Sequence, residues 1–314
     1  MAPLEIDGDG LYRFAFEAMA GPAEITLATD DGRRAGLLIE LACAEIRRIE
    51  DKYSRYRSDS VVTRINVAAG QSWVACDAET QSLFDYAEAL YQASDGLFDI
   101  TSGVLRRAWD FRTQRIPSAA DLNALRGLIG WRRVERQAGR IRLPLVGMEI
   151  DFGGFGKEYA ADRAAALLLE GGAGHGLVNL AGDMRILGPK PDGAPWCLGI
   201  RDPRDPARVI ADIEVASGAL ATSGDYERYF EADGRRYCHI IDPNTALPVD
   251  HWRSVSVVAP LAIVAGSHAT IAMLKQSAAR AYLDGLGLPF LAYDGDGHCH
   301  RRNGQSGPTL VEVG

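Results

Sequence analysis

The pattern of apolar and polar positions divides this chain of 314 residues into helical and extended segments. Residues 34–53 carry apolar side chains at intervals of three and four, which predicts an amphipathic helix. The apolar positions of that predicted helix are Leu37, Leu38, Leu41, Ala44, Ile46 and Ile49. Further helices are predicted at 77–94, 117–130, 157–170, 262–276 and 277–286, with a short one ending near Asn66.

Short apolar runs, some of them alternating with polar residues, predict β-strands between these helices. Two strands are expected within 14–29, on either side of Met19. The other predicted strands are 72–76, 131–136, 140–143, 147–151, 176–180, 184–187, 195–200, 208–216, 218–222, 226–231, 235–240, 255–259 and 289–293. This mixture of strands and helices predicts an α+β fold. The polar, glycine-rich stretch from Gly295 onward is predicted to be loose.

The stretch from Met148 to Asp162 is the one most suggestive of a ligand. A predicted strand ends at Asp151, a turn with three glycines follows, and a helix is predicted to begin at Lys157. A glycine-rich turn that opens a helix exposes N–H groups at the positive end of the helix dipole, which suits phosphate. The spacing matches neither of the two common glycine-rich phosphate motifs. Taken alone, the turn is better interpreted as a plain strand–helix connection, with phosphate binding as the alternative.

Composition and charge narrow the class of protein. The net charge of −8 argues against a nucleic-acid-binding surface and against attraction to an anionic membrane. Five scattered cysteines without a C-x-x-C pair do not predict a disulfide framework, so a reducing compartment is expected. The first residues form no signal-peptide core, and no apolar run is long enough to span a membrane. A cytoplasmic location is therefore expected, with the periplasm as the alternative if a signal peptide has been removed.

Polar residues near the ends of predicted strands are further candidates for chemistry. His239 alternates with apolar neighbours on a predicted strand, and an inward histidine is either a satisfied core residue or a general base. Asp225 follows Thr-Ser-Gly in a segment that is equally well explained as a capped turn. The run His298-Cys299-His300 is assigned no metal-binding role, since ligands on a loose tail are usually solvated.

Several short motifs, each weak alone, together resemble the ApbE family of FAD:protein FMN transferases. Their order and spacing are specific, and the resemblance extends from about Phe14 to Phe290. The motifs are Tyr53-Ser-Arg-Tyr-Arg-Ser-Asp-Ser60, Arg64-Ile-Asn66, Gly96-Leu-Phe-Asp-Ile-Thr101 with Trp109, Asp151-Phe-Gly-Gly-Phe-Gly-Lys157, Val178-Asn-Leu-Ala-Gly-Asp183, Thr222-Ser-Gly-Asp-Tyr226, His239-Ile-Ile-Asp-Pro-Asn-Thr245, Ser254-Val-Ser-Val-Val-Ala259 and Ala269-Thr270.

The resemblance implies a fold, a domain organisation and an activity. The fold is α+β with a T-fold-like ApbE architecture, in which mixed and antiparallel sheets pack against helices. One domain would cover 10–295, with a helical part at about 30–130 packed on a core at 131–295, followed by a loose tail at 296–314. The implied enzyme uses Mg²⁺ to cleave FAD, attaches FMN by a phosphoester bond to a threonine of a target flavoprotein, and releases AMP.

The resemblance also implies site residues, by their positions in the motifs. The metal would be bound by the Gly154 carbonyl and by Thr270. His239 matches the position that helps to deprotonate the acceptor threonine, and Asp225 is expected nearby as an orienting acid. The implied FAD-binding residues are Met19, Tyr56, Leu97, Phe98, Asp99, Asp151, Lys157 and Ile240.

The sequence departs from the family pattern at the implied metal site. The family usually has an aspartate four residues before Thr270, and some members have another directly before it. Here those positions are Gly266 and Ala269. His268 would lie on a different face of the helix and is a poor ligand for Mg²⁺. Three further departures are Ala181 and Ala246 in place of glycines and Cys238 in place of a frequent histidine.

These departures leave three functions open. The first is a working flavin transferase with a weak Mg²⁺ site or a preference for Mn²⁺, in which Gly266→Asp would strengthen metal binding. The second is an FAD-binding homologue that has lost catalysis. The third is an FAD pyrophosphatase that uses water instead of threonine and gives FMN and AMP.

Overall fold

A computed structural model describes residues 5–6, 10–205, 207–304 and 309–312, the last of these by their backbone only. Short 3-10 helices lie at Ile100–Arg107, Trp131–Arg133 and Gln276–Ala278. The described α-helices are α1 (Gly32–Tyr53), α2 (Val61–Val67), α3 (Ala78–Ala93), α4 (Ala119–Arg126), α5 (Gly156–Glu170), α6 (Ala262–Lys275) and α7 (Ala279–Leu286). The described strands are β1 (Glu5–Ile6), β2 (Tyr12–Ala18), β3 (Gly21–Leu27), β4 (Val74–Ala75), β5 (Glu135–Gln137), β6 (Arg140–Arg142), β7 (Gly176–Leu180), β8 (Asp183–Gly188), β9 (Trp196–Arg201), β10 (Val209–Val215), β11 (Gly218–Gly224), β12 (Tyr229–Ala232), β13 (Arg235–Cys238), β14 (Trp252–Ala259), β15 (Phe290–Asp294), β16 (Cys299–Arg302) and β17 (Thr309–Glu312).

The strands form one large sheet and three small ones. The large sheet has nine strands in the order β1-β2-β3-β7-β8-β11-β14-β15-β16, and its neighbouring strands are antiparallel. A second sheet contains β9, β10 and β17, a third contains β4, β5 and β6, and β12 pairs with β13. The predicted α+β class is confirmed. Since β3 pairs directly with β7, helices α1 to α5 form an excursion between two neighbouring strands.

The large sheet separates two buried apolar clusters. The larger cluster lies between the sheet and the helices, and it includes Ile46, Leu168 and Val255. The other cluster lies on the opposite face, where Ile186 of the large sheet packs with Ile213 of the β9-β10-β17 sheet. Because both faces are covered, a strand such as β14 is buried along almost its whole length.

Helix α1 buries a different stripe from the one its sequence predicts. Leu38 and Ile46 are buried as expected, but Leu37 and Leu41 are 61% and 47% exposed, and Ala44 is also exposed. The helix is apolar on more than one face, so periodicity alone could not tell which face packs on α5 and the sheet. Among the described helices, none has the combination of length and apolar character that crossing a membrane requires.

The predicted strand at 147–151 is wrong, because residues 148–151 take part in no strand pairing. The side-chain amide of Asn66 supplies the bonds that a strand would have made. Its nitrogen donates to the Ile150 carbonyl over 3.0 Å, and its oxygen accepts from the Ile150 N–H over 2.7 Å. The Asp151 N–H donates to the carbonyl of Ile100 over 2.9 Å. This segment therefore enters the glycine turn held by one side chain and one 3-10 helix.

Two other predicted strands and one predicted helix are shorter than expected. The predicted strand at 131–136 begins as a 3-10 helix, whose Trp131 N–H donates to Asp99 over 3.0 Å. The predicted helix at 117–130 is limited to α4. The strand predicted at 235–240 ends at Cys238, so His239 lies in the bend that follows it.

The prediction of a loose tail is wrong for two segments. Strand β16 pairs with β15 at the edge of the large sheet, from Tyr293 opposite Cys299 to Phe290 opposite Arg302. The backbone of β17 pairs with β10. A polar segment can be ordered in this way because a sheet edge offers unpaired backbone groups to any strand. Residues 305–308 and 313–314, which the same prediction includes, lie outside the described residues.

Helices α5 and α6 are joined in a fixed register by one carboxylate. The two oxygens of Asp162 in α5 accept from the N–H groups of Ala262 and Ile263, each over 2.9 Å. The first N–H groups of a helix have no partner within the helix, so Asp162 caps α6 from outside. One turn before Asp162 is Glu158, and one turn after Ala262 is Gly266. This register brings those two positions face to face.

We expect Asn66→Ala to lower the free energy of unfolding by about 1–3 kcal/mol, because it leaves two backbone groups of Ile150 without their partner. Urea denaturation followed by circular dichroism measures the change. Asn123→Ala, at an exposed position on α4, is the matched control and should change stability by less than about 0.5 kcal/mol. Equal effects of the two substitutions would show that the Asn66 bridge does not hold the segment.

Candidate active site

The glycine turn before α5 is shaped by packing as much as by backbone freedom. A Cβ atom at Gly154 would lie 2.7 Å from Cζ of Phe98, so a side chain there would collide with a buried ring. The N–H groups of Gly153, Phe155 and Gly156 donate to Asp151 or Phe152, over 2.7–3.0 Å. The turn therefore offers fewer free amide donors for phosphate than its sequence predicts.

Asp151 connects this turn to the predicted aromatic position. Its carboxylate pairs with the guanidinium of Arg55. Arg55 also donates to the Tyr56 hydroxyl over 2.8 Å, and its guanidinium lies 4.9 Å from the centre of the Tyr56 ring. The Tyr56 side chain is 75% exposed. The predicted FAD-binding residues Asp151 and Tyr56 are thus brought together by an arginine, and the exposed ring remains available for stacking.

Lys157 occupies the first turn of α5, but it is paired. Its Nζ lies 2.8 Å from Oδ2 of Asp183, a residue only 3% exposed at the start of β8. The other carboxylate oxygen of Asp183 accepts from the Thr222 N–H over 3.1 Å. Although burial opposes the charge of Lys157, the nearby carboxylates of Asp183 and Glu158 raise its pKa above the usual value. Lys157 is therefore a fixed positive charge beside the glycine turn.

Glu158, the next residue of α5, points into the interior. It is 7% exposed, and its Oε2 atom is buried without a hydrogen-bond partner. Burial and the negative charge of Asp183 raise the pKa of Glu158 well above its usual value. An unpaired buried carboxyl oxygen is costly, so its presence points to a function or to a missing partner.

Gly266 on α6 leaves the space that Glu158 fills. A Cβ atom built on Gly266 would lie 2.6 Å from Cγ and 2.7 Å from Oε1 of Glu158. The predicted effect of Gly266→Asp therefore depends on where the Glu158 side chain goes, and it stays a prediction. An aspartate at 266 would first have to displace Glu158, because the two side chains cannot occupy one space.

The other positions of α6 near Gly266 lie as predicted, with Thr270 on one side of the helix and His268 on another. The Thr270 hydroxyl lies 2.8 Å from the hydroxyl of Ser223 on β11. Ala269 is fully buried in the larger apolar cluster. The His268 ring bonds to Tyr282 of α7, and so it does not face the group formed by Gly266 and Thr270. The predicted metal-binding residue Thr270 is therefore an oxygen donor on the same side of α6 as Glu158.

His239 lies just after β13, close to the positive charges of the site. The backbone N–H of His239 donates to the Arg228 carbonyl over 3.0 Å, whereas the ring atom Nδ1 is buried without a hydrogen-bond partner. Burial, followed by the positive charges of Arg228 and Lys157, lowers the pKa of His239 to about 4. The ring is therefore neutral at pH 7 and has a nitrogen able to accept a proton.

The orienting role predicted for Asp225 is not supported by its contacts. Asp225 is 2% exposed, and its carboxylate lies 2.7 Å from Arg253 and 3.4 Å from Arg236. The ring atom Nδ1 of His239 makes no hydrogen bond to it. Arg236 and Arg253 neutralise Asp225. The same two arginines border an open groove, together with Arg204 and Arg235.

The side chains of the other predicted FAD-binding residues cap a helix or pack in the interior. Asp99 caps the 3-10 helix Ile100–Arg107, accepting from Thr101 over 2.6–2.7 Å and from Trp131 over 3.0 Å. Its carboxylate is thus already used. Phe98 packs on Phe155 and the glycine turn. The remaining three residues, which contact or belong to the larger apolar cluster, are Met19, Leu97 and Ile240.

Comparison with known proteins identifies the family of this chain. The sequence profile of the ApbE family matches residues 19–290. This chain belongs to the ApbE family. An FAD:protein FMN transferase of Klebsiella pneumoniae is 32% identical over 254 residues, which cover 79% of this chain and 77% of the relative. That of Escherichia coli K12 is 28% identical over 280 residues, covering 85% and 80%.

Solved structures of the ApbE family agree with the fold. The crystal structure of the ApbE protein from Thermotoga maritima has a TM-score of 0.85 and 33% identity, and the match covers 93% of this chain and 97% of that one. The flavin transferase ApbE from Vibrio cholerae has a TM-score of 0.84 and 26% identity, with coverage of 97% and 98%. The family and architecture implied by the sequence motifs are confirmed.

Two departures from the ApbE glycine pattern fall at left-handed backbone positions. Ala181 has φ of 52° and Ala246 has φ of 58°, a region where glycine is favoured and alanine is strained. Cys238, which replaces a frequent histidine, is buried, and burial raises the pKa of its thiol to about 11. That thiol is therefore a packed apolar group rather than a nucleophile.

Sequence reasoning missed three residues of this ApbE site. Arg55, Glu158 and Asp183 all lie inside or directly beside the quoted motifs, but none was assigned a role. The signal for Glu158 was its position one residue after Lys157, in a helix rich in alanine. Asp183 could be paired with Lys157 only once β8 was known to lie against α5. Contacts between segments so far apart in sequence are set by tertiary structure.

We expect Ala181→Gly to raise the free energy of unfolding by about 0.5–1 kcal/mol. A left-handed alanine costs about 1–2 kcal/mol, and part of the gain is lost to the greater freedom of glycine in the unfolded chain. The Ala181 N–H bond to the Pro22 carbonyl, 2.8 Å long, is retained in glycine. Chemical denaturation monitored by fluorescence measures the change.

The matched control for Ala181→Gly is Ala166→Gly in the middle of α5, where the backbone is helical. We expect this control to lose about 0.5–1 kcal/mol. If both substitutions destabilise the protein equally, the strain assigned to Ala181 is absent.

Proposed function

We propose that this protein is an FAD:protein FMN transferase, which cleaves FAD, attaches FMN to a threonine of a target flavoprotein and releases AMP. The observation that carries the proposal is a fixed positive charge in the same site as a histidine with an unpartnered ring nitrogen. Asp183 pairs with Lys157 and keeps it charged. The Nδ1 atom of His239 is buried without a partner, and burial together with the charges of Arg228 and Lys157 lowers the pKa of the His239 ring. Membership of the ApbE family supports this assignment.

The proposed reaction is a phosphoryl transfer from a pyrophosphate. The threonine Oγ of the target attacks the phosphorus on the FMN side, and the bond from that phosphorus to the bridging oxygen breaks. The threonine proton passes to His239, and AMP leaves with the bridging oxygen and its negative charge. Lys157 balances the charge on the phosphate oxygens, where a fixed cation is worth more than it would be in water.

The proposed metal is Mg²⁺, with Mn²⁺ as the alternative. The candidate donors are the Gly154 carbonyl, in the turn before α5, and the hydroxyl of Thr270 on α6, which lies beside that of Ser223. They are oxygen atoms, the kind of donor that Mg²⁺ prefers, so the residues present fit the metal. When bound there, Mg²⁺ would neutralise charge on the pyrophosphate.

FAD is proposed to lie along the glycine turn with one aromatic ring against Tyr56. The exposed Tyr56 ring and the Arg55 guanidinium form a platform near Asp151. An adenylate half adds contacts that FMN alone lacks, so FAD should bind more tightly than FMN. The alternative of an FAD-binding homologue without catalysis depended on the missing carboxylate at Gly266, and that space contains the carboxylate of Glu158.

The test is incubation of the protein with FAD, MgCl₂ and a flavoprotein fragment with an acceptor threonine. We expect an FMN adduct on the fragment by mass spectrometry and an equal amount of AMP by chromatography. The control fragment carries alanine instead of the threonine. AMP release that is the same with both fragments would identify a pyrophosphatase, and FAD binding without AMP would identify a binding protein.

We expect His239→Ala to lower transfer by about 100- to 10,000-fold while FAD affinity stays within about threefold of wild type. In wild type, the acid limb of kcat/KM should lie near pH 4, the pKa of His239, because the base works only when neutral. Activity should therefore persist as pH falls from 7 to about 5, below the usual histidine range near 6.5. The pH dependence of AMP release measures both effects.

The matched control for His239→Ala is His251→Ala, which removes an exposed histidine before β14. Its transfer rate and acid limb should equal those of wild type. A loss of less than about tenfold in His239→Ala would assign the proton transfer to another group.

A further inference from the structure

We propose that Glu158 is a carboxylate ligand of the divalent cation, supplied by α5 in place of the family aspartate that is missing from α6. This inference rests on the proposed function, since it names a ligand for the cation of that reaction. The proposed ligand is at position 158 on α5, whereas the family aspartate would be at position 266 on α6.

The first support is the space shared by two positions. A side chain starting at Gly266 would begin 2.6 Å from Cγ and 2.9 Å from Cδ of Glu158. The carboxyl group of Glu158 therefore occupies the region that an aspartate at 266 would enter. Gly266 makes room for the Glu158 side chain, because a Cβ atom at 266 would require Glu158 to move.

The second support is the register of the two helices. Asp162 caps α6 through Ala262 and Ile263, which fixes α5 against α6 at a point one turn away from Glu158. A rigid pair of helices holds a ligand atom more precisely than a loop does. Thr270, the proposed hydroxyl ligand, is one turn beyond Gly266 on the same face of α6.

The third support is an oxygen without a partner. Glu158 is 7% exposed, and its Oε2 atom has no hydrogen-bond partner among the described residues. The ammonium of Lys157 is paired with Asp183, 2.8 Å away, and it leaves the free oxygen of Glu158 without a partner. A cation with oxygen preference would use the free oxygen and balance the second acid.

The test measures metal binding directly, apart from turnover. Mn²⁺ replaces Mg²⁺ as the probe, and free Mn²⁺ is counted by electron paramagnetic resonance in the presence of saturating FAD without acceptor. Loss of outer-shell partners of a metal already costs about 10- to 100-fold in affinity, so a lost ligand should cost at least about 10-fold. We expect Glu158→Gln to weaken Mn²⁺ binding by at least that factor.

A second comparison moves the carboxylate back to α6. Glu158→Ala empties the space beside Gly266, and the double variant E158A/G266D refills it from the other helix. We expect the double variant to bind Mn²⁺ at least about 10-fold more tightly than Glu158→Ala. Failure of either comparison would overturn the proposal and leave Glu158 as a buried structural acid.

Controls separate a lost ligand from a damaged fold. Glu170→Gln removes an exposed carboxylate from the last turn of α5 and should leave Mn²⁺ affinity unchanged. All variants should bind FAD in the absence of metal. Glu158→Gln should also melt within a few degrees of wild type, because a glutamine side chain has the same shape as the buried glutamate that it replaces.

Two outcomes separate this inference from the proposed function. If Glu158→Gln binds Mn²⁺ as wild type does while wild type forms the FMN adduct, the ligand assignment fails and the proposed function stands. If wild type forms no adduct but Glu158→Gln loses Mn²⁺, the function fails and the ligand assignment stands.

Discussion

The carboxylate of Asp162 holds the two central helices of this protein together, and the geometry of the site depends on it. It accepts from the first N–H groups of α6 and is itself paired with Arg185 of β8, 3.1 Å away. One side chain thus joins α5, α6 and the large sheet. Because Asp162 is on the same helix as Lys157 and Glu158, the position of both side chains is fixed by a capping interaction about one turn away.

Charge balance is the second constraint on this site. Buried acids raise the free energy of a fold unless a cation or hydrogen bonds compensate them. Lys157 compensates Asp183, and two arginines compensate Asp225, whereas Glu158 keeps an oxygen without a partner. The uncompensated group lies where α5 and α6 face each other. A function that brings a cation to this point would complete the balance, which the protein alone leaves incomplete.

Membership of the ApbE family is compatible with several local exchanges. In this chain, a glycine on α6 faces a glutamate on α5, and the glutamate fills the space beside the glycine. Alanines with positive φ keep the turns that glycines form elsewhere in the family, at a cost in strain. The backbone fold agrees with that of the solved ApbE structures, at TM-scores of 0.84–0.85.

By itself, the sequence determined the α+β class, most helices, the family and the glycine turn before α5. Helical periodicity and the spacing of motifs are local properties of the chain, so they can be read without coordinates. Only the tertiary structure decided that Ile150 bonds to Asn66 instead of to a strand, that Asp225 is paired with Arg236 and Arg253, and that β16 and β17 extend two sheets. It also decided that Glu158 fills the space beside Gly266. Asn66 and Ile150, or Glu158 and Gly266, lie far apart in sequence. The physical reason is that such partners are chosen by packing between elements, which no local pattern encodes.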